Sequence, residues 1–335
     1  MSAKKSHWLI SVFAALFGNG LITILKFVWF CLSGSGALFS EAIHSAADLS
    51  NQALLMIGIN RANKQANREY SYGFKKERFF RAVISACGIF FIWAGVTTYH
   101  GIMTLFEGKE ILVNNIIFII LAISFIVEGG TFCIALRELI KANPDKKFKN
   151  MLKHWDPVTL AVVYEDGIAL LGIIIAAISV LLYRITGNST RDSVGSIIIG
   201  LLLGVMAIFL IMKNKKFLIG KAIPNDLKED IIELMEQDEI IEKVIDFKSS
   251  ILDLDTYHIK CEIECNGTGL LKSIGRDNFL QKEYEKVKHS YPDFLEFCVD
   301  YTRRVPRVIG THIDKVEAKI KEKFPQVRHI DIEIN

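Results

Sequence analysis

The chain has 335 residues, of which 51% are hydrophobic, and a formal net charge of +3. So small an excess of positive charge excludes nucleic acid as the organising partner. The six cysteines are scattered without a CxxC pair, which excludes a disulfide framework and a zinc ribbon.

The mean hydropathy of +0.30 averages two unlike halves. Residues 8–213 hold the long apolar runs, and residues 214–335 read as a charged soluble domain. The first boundary is therefore expected between 213 and 214. The first apolar run, Trp8 to about Cys31, is longer than a signal-peptide core, and no small-residue cleavage motif follows it. It reads as a membrane span. A span needs about 20 mostly apolar residues. Six are expected: 8–31, 37–60, 79–105, 112–136, 157–183 and 194–212. Lys26, inside the first, is expected to snorkel toward the outer interface.

Charge sets the expected orientation. Lys4 and Lys5 precede the first span, Arg61 to Arg78 fill the second connection, and Arg137 to Lys153 fill the fourth. Lys213, Lys215, Lys216 and Lys221 follow the sixth, whereas the opposite loops carry only Lys109, Arg184 and Arg191. The positive-inside rule puts both termini and the soluble domain in the cytoplasm. The sequons at Asn188 and Asn266 read as chance matches.

The second span contains "SEAIHSAADLSNQ". Glu41, His44, Asp48, Asn51 and Gln52 share one helical face. A charge near the bilayer centre costs about 2.5–3.5 kcal/mol on insertion scales, so such groups mark ion or proton paths. His44 and Asp48 stand one turn apart and can grip one ion. Ser45, Asn51 and Gln52 are equally well explained as interhelical hydrogen-bond partners. The fourth span adds Glu128, which either pairs with a neighbouring helix or serves a proton path. The fifth span opens at Asp156-Pro157, an N-cap with proline at the first helical position. Its "YEDGIALLG" carries Glu165 and Asp166, about 100° apart on the helix, so both reach one cavity only if it wraps part of that helix.

The soluble half patterns as helix 226–237, strands 241–250 and 256–265, helix 309–323 and strand 327–334. This α-β-β-α-β order is interrupted at about 266–308. The interruption holds a charged helical stretch near 276–290 and then "YPDFLEFCVDYTRRVPRV", which fits no element by pattern. Cys261 and Cys265 read as strand packing, and His258, His312 and His329 as surface imidazoles, because no zinc-ligand spacing surrounds them.

Four stretches together resemble the cation diffusion facilitator family of zinc transporters. "ILKFVWFCLSGSGALFSEAIHSAADLSNQ" is similar to its first-to-second helix signature, with a lysine, a Ser-Gly turn and an (His/Asp)-x-x-x-Asp pair. "YSYGFKKERFFRAVISA" resembles its entry to helix three, "YEDGIALLGIIIA" its helix five, and "THIDKVEAKIKEKFPQVRHIDIEI" the end of its cytoplasmic domain. The resemblance implies six transmembrane helices and a cytoplasmic, metallochaperone-like α+β domain that pairs two protomers. It implies metal ligands at His44, Asp48 and Asp166. The family's second histidine position is Val162 here, which cannot bind metal, and the family's histidine-rich loop is replaced by a lysine-rich one with His154. The Glu165-Asp166 pair resembles the branch typified by the ninth mammalian zinc transporter, and Glu165, Glu128, a water or a shifted residue then completes the shell.

The implied activity is export of a divalent cation, zinc first, in exchange for protons, by a homodimer that is not an enzyme and needs no resident cofactor. A shell richer in oxygen leaves manganese, iron(II) and cobalt as alternatives. The rival classes are a non-transporting metal-sensing scaffold and an intramembrane hydrolase; neither HExxH nor GxSxG occurs to support the second.

Overall fold

The structure is a computed structural model that describes residues 19–108, 111–141, 157–253, 255–275 and 279–335. It forms two compact units that divide between Lys215 and Lys216.

The described part of the first unit is helical. Its helices are α1 (Asn19–Ser33), α2 (Gly36–Ala62), α3 (Glu77–Glu107), α4 (Asn115–Lys141), α5 (Pro157–Thr186) and α6 (Thr190–Ile219). Four of them, α3 to α6, are long and apolar enough to cross a membrane. The polar stripe of α2 dilutes its apolar run, and α1 is described only from Asn19. Large apolar side chains such as Ile92, Phe106, Ile126 and Leu201 point outward, as an integral membrane protein requires where lipid replaces water. Asp156 and the lysine-rich loop lie outside the described residues.

The polar stripe faces inward because α2 is walled on both sides. Ile43 and Ala47 pack with Ala86, Phe90 and Ala94 of α3 and with Leu203 and Met206 of α6. Ala37 and Leu38 pack with Ile117 and Leu121 of α4, and with Ile173 and Ala176 of α5. Helices α3 and α6 touch almost backbone to backbone. A Cβ at Gly200 would stand 2.5 Å from Thr98 Oγ1 and 2.9 Å from Thr98 N. Small residues permit such an approach between membrane helices. A π-helical turn, Ser85–Phe90, interrupts α3 about two turns before Thr98, where Ala86 and Phe90 pack in the cluster with Ile43 and Leu203.

The start of α2 is pinned by another helix. Ser35 is its N-cap, and Ser35 Oγ accepts from Leu38 N at 3.2 Å. Asp192, only 2% exposed, then accepts from Ser35 Oγ at 2.7 Å, Gly36 N at 2.5 Å and Ala37 N at 3.2 Å. Asp192 also lies in the first turn of α6. One carboxylate therefore sits at two helix N-termini, where backbone dipoles favour negative charge. Ser40 Oγ and Ser196 Oγ, 2.6 Å apart, continue the seam.

The second unit contains α7 (Asn225–Glu236), β1 (Ile241–Asp253), β2 (Thr256–Cys265), α8 (Gly267–Ile274), α9 (Phe279–Val287), α10 (Tyr291–Lys323) and β3 (Val327–Ile334). The sheet order is β1-β2-β3, antiparallel between β1 and β2 and parallel between β2 and β3. A parallel neighbour needs a crossover, and helices α8 to α10 supply it. The core joins Ile259, Cys261 and Ile263 of β2 to Ile231 and Met235 of α7 and to Val316 and Ile320 of α10.

Two sequence expectations change here. The stretch "YPDFLEFCVDYTRRVPRV" is helix, so α10 runs 33 residues instead of beginning near 309. Ser290 caps it, accepting from Asp293 N, and Pro292 sits in the first turn where its missing N–H costs nothing. The helix expected over about 276–290 is shorter, Phe279–Val287, and α8 precedes it. Asn266 caps α8, its side-chain oxygen accepting from Thr268 N and Gly269 N.

Candidate metal site

The inward face of α2 opens on a cavity of about 380 Å³. Ser45, Asp48, Asn51, Glu128, Glu165 and Asp166 are among its walls. Three helices thus deliver four carboxyl groups to one space. Glu165 and Asp166 are sequence neighbours, yet both line it.

His44 is 2% exposed and lies against Asp48, with Nε2 3.3 Å from Oδ2. The spacing of one helical turn makes this contact. The other face of each group is unused: His44 Nδ1 and Asp48 Oδ1 are buried with no hydrogen-bond partner. Asn51 Nδ2 donates to Glu165 Oε1 at 2.8 Å, which fixes one oxygen of that carboxyl group and ties α2 to α5. Asp48 also lies within electrostatic reach of both Glu165 and Asp166.

Lys26 overturns an expectation. It does not snorkel to an interface; it is 0% exposed. Its ammonium donates to Ser45 Oγ at 2.7 Å and Glu41 Oε2 at 3.1 Å, and lies 3.5 Å from Glu128 Oε1. Snorkelling presumes that water is closer than any partner, and here α2 and α4 bring carboxylates closer. Glu128 is accordingly paired, although its Oε2 is buried without a partner, as is Glu41 Oε1. Gly172 of α5 makes room for Glu41: a Cβ there would stand 2.5 Å from Glu41 Oε1.

Five carboxyl groups (Glu41, Asp48, Glu128, Glu165 and Asp166) therefore share this interior with one ammonium and one imidazole. Several oxygens and one ring nitrogen lack partners, and burying such atoms unpaired is costly. The donor set, one nitrogen with several oxygens, fits a borderline-to-hard divalent ion. Among the described residues no three His, Cys, Asp or Glu side chains converge closely enough to hold an ion as they stand. Val162 lies in α5, four residues before Asp166, and its side chain is outside the described residues.

The soluble histidines are not bare surface groups. His258 Nε2 lies 2.8 Å from Asp331 Oδ2. His258 faces His329 across β2 and β3, with ring centroids 6.3 Å apart. His312 Nδ1 lies 2.9 Å from Asp238 Oδ1. Burial and the neighbouring His258 lower the pKa of His329. Cys261 is buried against Met235, and burial pushes its thiol up to about 12.

The bundle and its acidic cavity define a class: multi-helix membrane proteins that keep ionisable groups among their spans. Residues 12–219 match the family described as the cation efflux transmembrane domain. The chain belongs to that family, the cation diffusion facilitators, which are transporters rather than enzymes. It is 35% identical over 328 residues to "Proton-coupled zinc antiporter SLC30A9, mitochondrial" of Mus musculus and of Homo sapiens, covering 96% of this chain and 58% of each relative. It is 32% identical over 338 residues to "Metal tolerance protein C4" of Arabidopsis thaliana, covering 98% of this chain and 74% of that relative. The chain thus spans somewhat over half the length of the mouse and human proteins it matches.

Proposed function

We propose that this chain is a secondary active transporter that exports a divalent cation, zinc in the first instance, from the cytoplasm in exchange for protons. His44, Asp48 and Asp166 bind the ion, and Glu165 completes the shell. The observation that carries this reading is the cavity itself, where four carboxyl groups from three helices meet beside an imidazole with an unused nitrogen. A low-dielectric space does not hold several uncompensated negative charges. Protons or a metal ion must supply the balance, and ligands must lose protons to bind metal. The charge count supports exchange of one for the other. The relatives named as proton-coupled zinc antiporters support the same pairing of ions.

The finer architecture belongs to the same proposal. Helices α1 to α6 are six spans, residues 1–213 form the transmembrane domain, and residues 214–335 form a cytoplasmic domain of α-β-β-α-β plan through which two copies pair. The insertion at about 266–308 is occupied by α8, α9 and the first half of α10. The lysine and arginine distribution supports cytoplasmic termini. The membrane is the inner membrane if the source is bacterial; the mouse and human relatives are named as mitochondrial.

Manganese, iron(II) and cobalt transport is the second reading, because carboxylate oxygens outnumber imidazole nitrogens in the cavity. Purified protein in vesicles, offered zinc against each competitor, ranks the metals. In the same vesicles Asp48→Ala and Asp166→Ala should each abolish metal-driven proton flux. Normal flux in Asp48→Ala would sink the mechanism.

A further inference from the structure

Lys26 is 0% exposed, and the exchange of metal for protons does not use it. Its ammonium has three donors and three neighbours: Glu41, Ser45 and Glu128. The contacts are unequal. Ser45 and Glu41 hold it at 2.7 and 3.1 Å, whereas Glu128 stands at 3.5 Å. Glu128 also faces the other way, since it lines the cavity with Asp48, Glu165 and Asp166, and its Oε2 is buried without a partner. One carboxylate is thus divided between a fixed internal cation and the space where the ion is to bind.

Resting on the metal-site reading above, we propose that Lys26 is a tethered counter-cation that competes with the transported metal for Glu128. With the cavity empty, Glu128 leans on Lys26. With metal held by His44, Asp48, Asp166 and Glu165, Glu128 turns toward the ion as a further carboxylate beside that shell, and Lys26 keeps Glu41 and Ser45. On release, the ammonium takes Glu128 back, which lowers the barrier to letting the ion go. Glu41 is the permanent anchor: its Oε2 holds Lys26, while its other oxygen lies over Gly172, where no side chain intervenes. Lys26 is a positioning residue in this scheme, and it never touches the metal.

The test is equilibrium zinc binding by the purified full chain, read with flux in vesicles. Lys26→Met alone would leave Glu41 buried and unpaired, so the variant is Lys26→Met with Glu41→Gln. Its zinc affinity should rise about tenfold while its maximal flux falls. Affinity that is unchanged or weaker overturns the proposal. Glu128→Gln alone should weaken zinc binding about tenfold. Unchanged affinity there also overturns the proposal, and this arm decides if the double variant does not elute as a folded species. In the Glu128→Gln background the Lys26 and Glu41 changes should no longer alter affinity; a gain that persists there is a nonspecific charge effect and counts against competition. Asp48→Ala and Asp166→Ala in the otherwise unchanged chain separate the two readings. If they bind zinc normally, the metal site itself is wrong. If they lose zinc while Lys26 and Glu128 variants bind as the parent does, only the role of Lys26 falls.

Discussion

Replacing Asp192 by alanine should loosen the start of α2. In the parent, its carboxylate accepts three hydrogen bonds from Ser35, Gly36 and Ala37 at 2.7, 2.5 and 3.2 Å. Bonds to a charged acceptor contribute about 1.5–3 kcal/mol each, and two of these are short. Water entering the small void offsets part of the loss, so Asp192→Ala should cost about 3–4 kcal/mol. Asp192→Asn is the informative companion. Its carbonyl oxygen can still accept from Gly36 N and Ala37 N, and its amide can donate to Ser35 Oγ once that hydroxyl turns. Only the charge is lost, at about 1.5–2 kcal/mol, since neutral bonds are about half as strong. The assay is reversible unfolding in mixed detergent, with hydrogen exchange over residues 35–40 as the local readout. Asp192→Ala within about 0.5 kcal/mol of the parent would refute the clamp, because surface-like substitutions fall in that range. Equal losses for the two variants would refute the division between hydrogen bonding and charge.

Further outcomes follow from other contacts. Gly172→Ala drives a methyl into Glu41, which is itself buried, so it should destabilise by about 1–3 kcal/mol and weaken zinc binding. Shortening the partner, as Gly172→Ala with Glu41→Asp, should recover part of the stability; no recovery in melting temperature would locate the strain elsewhere. The Cys261 thiol, pushed up to about 12 by burial, should resist maleimide at pH 8 until the chain unfolds, and prompt labelling of the folded chain would contradict its place in the core. His329 has a folded pKa below its unfolded one, so the unfolded chain binds the extra proton first. Its contribution is intact above the unfolded pKa and is lost as pH falls through it toward the folded value. Hydrogen-exchange protection of β3 should drop between pH 7.5 and 5.5, and drop less in His329→Gln; identical profiles would exclude His329 as the cause.

What the sequence disclosed depended on whether a feature was local. The stripe on α2 was visible because i and i+4 positions are fixed by helix geometry alone, so the contact of His44 with Asp48 follows from spacing. Glu165 and Asp166 on one helix, and Glu128 on another, were visible as buried acids, but nothing in a linear chain said that one cavity would collect them. The pairing of Lys26 is hidden from the sequence for the same reason. Its partners are 15, 19 and 102 positions away, at Glu41, Ser45 and Glu128, and snorkelling was the answer only if none of them came near. By sequence Asn51 fits either a seam or a site, and its bond to Glu165 makes it both a tie between helices and a brace for a carboxylate. The first half of the long helix α10 fits no element by pattern, although its start is signalled. Pro292 is harmless in a first turn, and "SYPD" is a start signal of cap, proline and acid that was there to be read. Pro306 lies inside the helix, where the rule against proline is only a tendency.

Helix α10 has mechanical consequences. Its 33 residues make a rod about 50 Å long at 1.5 Å per residue. All three of its buried residues, Ile309, Val316 and Ile320, lie in the C-terminal half, so that half is the mounting and the other half is an arm. Pro306 stands three residues before the first buried position, where the rod leaves its mounting, and it removes a backbone hydrogen bond there. The backbone ladder is therefore interrupted at the root of the arm, where Arg304 lies 4.0 Å over the Phe279 ring of α9. An arm of about 25 Å turned by about 5° at that point moves its tip by about 2 Å. The insertion thus adds leverage to the domain, and through the buried Gly269 and Ile274 of α8 it also takes part in its core.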